Sequence, residues 1–322
     1  MKRKLLELLK KNRDRYLSGA EASRLLRVSR TAVWRAVESL RESGYVIASS
    51  PGRGYRLEVV PDLLLPMEIQ DGLQTSILGK TIHYEKRTES TNKKARELAE
   101  AGAAEGTLVL AEEQTAGRGR LGRSWSSPPG GIWLSLLLRP ALSTSQMTLL
   151  TLLAAVAAVE ATINVCKITP GIKWPNDLLY GRKKLAGILT EISAEADRVH
   201  YLIVGIGFNA NITAEQFAPE IRKTATSVLA ATGAAVDRAA WVRAYLAAFE
   251  AYYYQALRSD FAAVLARWRH YAETLGQEVA VRFAGKEFCG RAVDIDEQGA
   301  LLLETGKGLV RCLAGDVAMK KD

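Results

Sequence analysis

The chain is poor in the residues that build metal centres and disulfide frameworks. It has three cysteines and three histidines. Cys166, Cys289 and Cys312 are odd in number and share no metal-ligand spacing, so neither a zinc site nor a disulfide scaffold is expected. They read as reduced thiols of a cytoplasmic protein. His83, His200 and His270 are scattered along the chain, and each reads as structural. Long apolar runs are also missing. The longest, Met147 to Val159, is too short to span a bilayer and carries Thr148 and Thr151, so a buried helix and no membrane partner are expected. The basic start, Met1-Lys2-Arg3-Lys4, is followed by no signal-peptide core, because Glu7 and Lys10 interrupt the leucines. There is no internal repeat and no low-complexity segment.

Basic charge is what the chain has in excess. Its 44 Lys and Arg exceed its 35 Asp and Glu by nine, which favours polyanionic partners. At 322 residues, 48% of them hydrophobic, it has room for two or three domains with sizeable cores.

Leucines at helical spacing occupy residues 2–13. Ser18-Gly19-Ala20-Glu21 is a capping box that starts a short helix with Ala22, Leu25 and Leu26 inward. After the turn Arg27-Val28-Ser29, Ser29 caps a second helix, Arg30 to Glu42, stopped by Gly44. Two apolar strands then flank Ser49-Ser50-Pro51-Gly52-Arg53-Gly54, a hairpin with a basic tip. A helix-turn-helix with a wing is expected, and it binds DNA. Arg30, Thr31, Arg35 and Arg41 on the second helix, and Arg53 and Arg56 on the wing, are the candidate DNA contacts. Residues 1–62 form this domain, and Pro61 to Pro66 is a linker.

The next basic feature is Gly117-Arg118-Gly119-Arg120-Leu121-Gly122-Arg123. Three glycines and three arginines fall within these seven residues. Such a loop forms neither helix nor strand well, but its N–H groups and guanidinium forks wrap closely around a phosphate or carboxylate. Strand-like runs, Thr107 to Ala111 and Ile132 to Leu138, hold it on both sides. The glycine spacing also fits a dinucleotide fingerprint. That fails on context, since Pro128-Pro129-Gly130-Gly131 follows instead of a helix and no acid lies about 20 residues on.

Further strands are expected at 82–85, 171–180, 184–192 and 201–208, with helices at 92–101 and 146–164. Hairpin-joined strands with helices packed to one side make an α+β domain over residues 63–272. Its last part, 238–272, is helical, and Tyr252, Tyr253, Tyr254 and Trp268 read as core. Short strands from Gln277 onward make a small β barrel in domain 273–322.

The charged residues of the middle domain suit ATP-dependent activation of a carboxylate. That reaction brings two anions together, and fixed cations must offset their repulsion. Arg118, Arg120, Arg123, Lys173 and Lys184 are the candidates, and Gly187 lets backbone approach the substrate closely.

Ser90-Thr91-Asn92, the 117–123 loop, Lys173-Trp174-Pro175-Asn176-Asp177, Lys184-Leu185-Ala186-Gly187-Ile188-Leu189 and Gly205-Ile206-Gly207-Phe208-Asn209 occur in that order. Together they resemble the biotin–protein ligases, and with the winged helix in front the whole chain resembles the bifunctional ligase and biotin-operon repressors. The resemblance implies a winged helix, a ligase domain like that of class II aminoacyl-tRNA synthetases, and an SH3-like C-terminal barrel. It implies a biotin–[biotin carboxyl-carrier protein] ligase that forms biotinyl-5′-AMP from biotin and ATP. Biotin then passes to a lysine of the carrier protein of acetyl-CoA carboxylase. The adenylate also acts as corepressor, promoting a homodimer that binds operator DNA.

By the same resemblance, Ser90, Thr91, Asn92, Gln114, Arg118, Gly119, Arg120, Lys184 and Gly187 hold the ligand. Arg118, Lys184 and Asp177 are the catalytic candidates, Asp177 orienting either Lys184 or the incoming lysine. Asn176 is a functional candidate beside it. Mg²⁺ accompanies ATP, bound more through phosphates than protein, with Asn209 a candidate contact. Trp125 reads as core in preference to an adenine stack. Two departures stand out. Leu121 replaces an arginine found in some family members. The stretch Phe217 to Ser227 has no tryptophan, so adenine packs on aliphatic residues there. The alternatives are a ligase whose winged helix no longer represses, a ligand-sensing repressor without turnover, and lipoate ligation on the same fold.

Overall fold

Serine caps set the first helices. The computed structural model describes residues 1–319 apart from 196, 197, 259 and 284, and divides them into units 1–63 and 64–322. In the first unit, α1 (Lys2–Lys11), α2 (Gly19–Leu26) and α3 (Arg30–Glu42) precede β1 (Val46–Ser50) and β2 (Gly54–Val59). Ser18 Oγ accepts from Glu21 N at 3.0 Å and Ser29 Oγ from Ala32 N at 3.1 Å, satisfying N–H groups that have no partner inside their helices. Leu5, Leu6, Leu9, Ala22, Val33, Val37, Leu40, Ile47 and Leu57 are buried. Leu25 departs from expectation and is 52% exposed. Ala22 and Leu26 are one turn apart, and Leu25 falls about 60° from the first and about 100° from the second, at the edge of their face.

The second unit is built on a seven-stranded sheet. Its elements begin with α4 (Pro66–Gln70), β3 (Ile82–Glu85), α5 (Thr91–Glu100), β4 (Leu108–Ala111), β5 (Ile132–Leu138) and α6 (Met147–Cys166). They continue with β6 (Gly171–Lys173), β7 (Asp177–Tyr180), β8 (Lys183–Glu195), β9 (Arg198–Phe208), α7 (Val228–Thr232), α8 (Arg238–Arg258) and α9 (Ala262–Tyr271). The order is β3-β4-β5-β9-β8-β7-β6, with only β3 and β4 parallel. Alternate residues of β5 sort to two faces, as the period of a strand requires. Leu134, Leu136 and Leu138 join the large core with α6, α8 and α9, while Leu137 packs with Ala95 and Ala99 of α5. The sheet is therefore covered on both faces, not on one as expected from sequence.

Helix α6 runs on to Cys166 and is long and apolar enough to cross a membrane, but 67% of its most apolar stretch is buried inside the protein. Tyr253 and Trp268 are core residues, with Tyr252 and Tyr254 packed against them. All three cysteines are free.

The last strands are β10 (Glu278–Phe283), β11 (Lys286–Ile295), β12 (Leu301–Thr305), β13 (Gly308–Cys312) and β14 (Asp316–Met319). They form an antiparallel sheet ordered β13-β12-β11-β10-β14. Trp174, 1% exposed, fastens it to the seven-stranded sheet: its ring N–H donates to Gly299 O at 3.0 Å, and its backbone N–H to Thr274 Oγ1 at 2.8 Å. The Trp174–Pro175 peptide is cis.

Candidate active site

The basic loop folds back on itself as a hairpin. Gly119 N donates to Arg123 O at 2.7 Å and Trp125 N to Gly117 O at 2.9 Å, while Arg118 and Ser124 form a bridge. Leu121 is at its tip, left-handed at φ 55° and 77% exposed. The hairpin stands beside an open cavity of about 130 Å³. Ser90, Thr91, Asn92, Gln114, Arg118, Gly119, Arg120, Asp177, Lys184 and Gly187 all line that cavity, so the ligand-holding and catalytic candidates implied by the resemblance, the metal contact aside, converge here.

Helix α5 presents the polar wall through its first turn. Ser90 caps the helix, its Oγ 3.5 Å from Lys93 N. Gln114 Oε1 accepts from Thr91 N at 2.8 Å and Thr91 Oγ1 at 3.0 Å, and Gln114 Nε2 donates to Ser127 Oγ at 2.8 Å. Asn92 Nδ2 donates to Glu191 Oε2 at 2.7 Å. Ser135, fully buried, lies 2.8 Å from Thr91 Oγ1 and 2.6 Å from Asn92 Oδ1. A lone serine in the apolar run Ile132 to Leu138 was the available signal for this residue, and sequence reasoning passed over it.

The floor is backbone. A Cβ on Gly207 would lie 2.4 Å from Trp125 Nε1, and one on Gly187 would lie 2.8 Å from the same ring. Trp125 is thus seated on two glycines and lines the cavity, which corrects its assignment to the core. It also packs against the cluster of Trp133, Ile212 and Phe217, which Ile221 and Ala225 of the tryptophan-free stretch join.

The charges are paired in a definite way. Lys184 Nζ is 2.8 Å from Asp177 Oδ2 and 5.1 Å from the centre of the Trp125 ring. Asp177 is therefore ion-paired with Lys184. Arg120 donates to Asn176 Oδ1 at 3.0 Å, and Asn176 Nδ2 to Ile188 O at 2.8 Å. Burial lowers the pKa of Arg120, opposed by Asp316 and Asp177. Arg123 is ion-paired with Asp316, which reaches the cavity from the C-terminal sheet. No local motif marked Asp316. Two buried polar atoms, Trp125 Nε1 and Asp177 Oδ1, lack hydrogen-bond partners among the described residues. Such atoms at a cavity wall fit a polar ligand that would complete them.

Two candidates lie elsewhere. Asn209 is 4% exposed and donates to Thr226 O at 2.9 Å, and it does not line the cavity. It fastens the chain at Thr226, and the structure does not bring it to the cavity. Lys173 lines a neighbouring cavity instead. Among the described residues, no group of three His, Cys, Asp or Glu side chains is placed to hold a metal ion.

In the first unit, Arg30, Thr31, Arg35 and Arg53 are exposed. Arg53 and Arg56 lie over the Tyr16 ring at 4.4 and 4.8 Å. Arg41 is not free to meet DNA. Its guanidinium donates to Ile47 O at 3.1 Å and Ser49 Oγ at 2.6 Å, and to Glu38 at 2.7 Å, bracing the wing.

A polar pocket walled by fixed cations, on a sheet covered by helices, defines a ligase that activates a carboxylate. Three family models match the chain: HTH domain over residues 2–56, Biotin/lipoate A/B protein ligase family over 84–209, and Biotin protein ligase C terminal domain over 274–320. The chain belongs to the biotin protein ligase family. It is 41% identical over 320 residues to the bifunctional ligase/repressor BirA of Bacillus subtilis, covering 99% of this chain and 98% of that one. It is 37% identical over 225 residues to the biotin–[acetyl-CoA-carboxylase] ligase of Paracoccus denitrificans, covering 69% of this chain and 93% of the relative. Among solved structures, the biotin protein ligase of Aquifex aeolicus in complex with biotin and ATP matches with a TM-score of 0.67 and 30% identity, covering 76% of this chain and all of that one.

Proposed function

We propose that the protein is an ATP-dependent biotin–protein ligase and a biotin-responsive repressor of transcription. The observation that carries the ligase function is the convergence of a polar wall, a glycine floor and the Arg118, Arg120 and Lys184 cations on one cavity. The division of labour is residues 1–62 for DNA, 63–272 for ligation and 273–322 as a C-terminal domain that contributes Asp316.

Ser90, Asn92 and Gln114 recognise the ureido ring of biotin. A pocket with such groups rejects analogues that leave them unpaired. The carboxylate oxygen of biotin attacks the α-phosphorus of ATP. The bond to the terminal diphosphate breaks, and pyrophosphate leaves with the electron pair. Arg118 and Lys184 offset the negative charge that gathers around the α-phosphate. Asp177 holds Lys184 in place. Mg²⁺ accompanying ATP would be held through the phosphates and would offset part of their charge. The amine of a carrier-protein lysine then attacks the acyl carbon, AMP leaves, and the nitrogen loses a proton. The hairpin 117–125 shields the mixed anhydride from water until that happens.

The repressor function rests on the exposed Arg30, Thr31 and Arg35 of α3 and on Arg53 of the wing. One winged helix makes few base contacts, and a homodimer reads two half-sites. The adenylate favours the dimer and so acts as corepressor. Mass spectrometry after incubation with biotin and ATP tests the first step: a retained biotinyl-5′-AMP is expected. A gel shift with and without both substrates tests the second.

A further inference from the structure

A side-chain amide carries an oxygen that accepts and a nitrogen that donates, and a half-turn exchanges the two. Both amides of the polar wall have a partner that permits one orientation. The Thr91 backbone N–H only donates, and it meets Gln114 Oε1 at 2.8 Å. A carboxylate accepts and does not donate, and Glu191 Oε2 is 2.7 Å from Asn92 Nδ2. Resting on the ligase function above, we propose that Glu191, outside the cavity, is a positioning residue for biotin: it holds the Asn92 amide so that its oxygen, and not its nitrogen, meets the ureido ring.

The strand period brings Glu191 to this place. Gly187, Leu189 and Glu191 of β8 share one face, opposite Gly207, Gly205 and Ile203 of β9. Gly187 and Leu189 line the cavity, and Glu191 follows just beyond its edge. There it meets α5. Its two oxygens have different partners, Oε2 the Asn92 amide and Oε1 the Arg96 guanidinium, each at 2.7 Å. Asn92 and Arg96 are one turn apart on α5. The pair with exposed Arg96 adds little stability of its own. It keeps the half-buried carboxylate turned toward Asn92.

Counting protons shows what the ligand meets. Asn92 Nδ2 commits its protons to Glu191 Oε2 and, at a long 3.4 Å, to Leu189 O. Asn92 Oδ1 accepts from the fully buried Ser135 hydroxyl at 2.6 Å, which occupies one of its two lone pairs. The other lone pair is open to an N–H, and a ureido ring supplies one. Gly205 keeps the approach open, since a Cβ there would lie 2.1 Å from Asn92 Oδ1. Ser135 does not decide the orientation. Its hydroxyl both donates and accepts, and with a reversed amide its proton would pass to Thr91 Oγ1, 2.8 Å away. Without Glu191, only the long contact to Leu189 O opposes reversal, and a reversed amide sets donor against donor at the ring.

The test uses the full-length Glu191→Met protein, with Glu191→Ala in its place should methionine unfold the chain. Glu191→Gln is the conservative control, because it can still turn a carbonyl oxygen toward Asn92. Titration calorimetry measures biotin affinity for each, alone and with Asn92→Ala, and the KM for ATP and kcat are measured at saturating biotin. Loss of one buried partner weakens biotin binding by roughly 10-fold in Glu191→Met. Glu191→Gln and Arg96→Ala retain most of the affinity, and the ATP KM and kcat stay unchanged. With Asn92→Ala already present, Glu191→Met causes no further loss. Wild-type biotin affinity in a folded Glu191→Met protein overturns the proposal. So does an equal loss in the Asn92→Ala background, which would assign Glu191 to packing alone, or an equal loss in Glu191→Gln, which would assign the effect to charge. A wild-type protein that binds no biotin overturns the ligase function itself, and this role with it.

Discussion

Replacing Lys184 by alanine removes two interactions, and the structure allows them to be separated. The first is structural. Lys184 Nζ is 2.8 Å from Asp177 Oδ2, and the side chains are 36% and 19% exposed. Breaking a fully buried pair costs about 3–5 kcal/mol, whereas an exposed pair is worth less than about 1 kcal/mol. This half-screened pair falls between, at about 1–2 kcal/mol, because Asp177 already has one buried oxygen without a partner. For a unit of this size, ~1 kcal/mol moves Tm by about 2–4 °C. The second interaction is chemical. Loss of a cation at the developing charge costs ~10²–10³ in rate. Lys184→Ala should therefore melt a few degrees lower and form adenylate at least ~100-fold more slowly. Adding Asp177→Asn removes the stranded carboxylate. The double variant should regain most of the melting temperature but not the rate. Calorimetry and single-turnover adenylate formation at saturating biotin and ATP measure both. Wild-type turnover by Lys184→Ala would refute the catalytic role. Recovery of rate along with stability would show that only folding had been lost.

Other consequences are equally open to measurement. Arg118→Gly should still form adenylate but release it early, because Arg118 is at the root of the hairpin that covers it; biotin on unrelated lysines is the readout, and labelling confined to the carrier contradicts it. Gly207→Ala would drive a methyl into the Trp125 ring. It should cost about 1–3 kcal/mol or tilt the hairpin off the floor, and unchanged stability together with unchanged adenylate retention would show that the ring does not rest there. Arg35→Ala should weaken operator binding and spare biotin transfer. Arg41→Ala should instead lower the stability of residues 1–63, since its guanidinium braces Ile47 and Ser49. Identical DNA-binding and melting profiles for the two variants would refute that distinction.

Much of this was legible in the sequence because it depends on near neighbours. Ser18 and Ser29 cap helices three residues away, and the apolar run 132–138 makes a strand buried on both faces. The basic glycine loop stood out as a candidate anion site, and its residues line the cavity. What remained hidden depends on packing between distant residues. Arg123 meets Asp316 across 193 positions, and no local pattern encodes that pairing. Arg41 and Arg35 are both arginines of one basic helix, yet the return of β1 beside Arg41 turns one into a brace and leaves the other exposed. Trp125 reads as core until two glycines from separate strands are brought beneath it. Asn209 and Lys173 sat inside family-like motifs, and only the tertiary structure placed one behind the site and the other in the cavity beside it. Local hydrogen bonding and hydrophobic period determined the elements; the assembly of the sheets decided which charges face which.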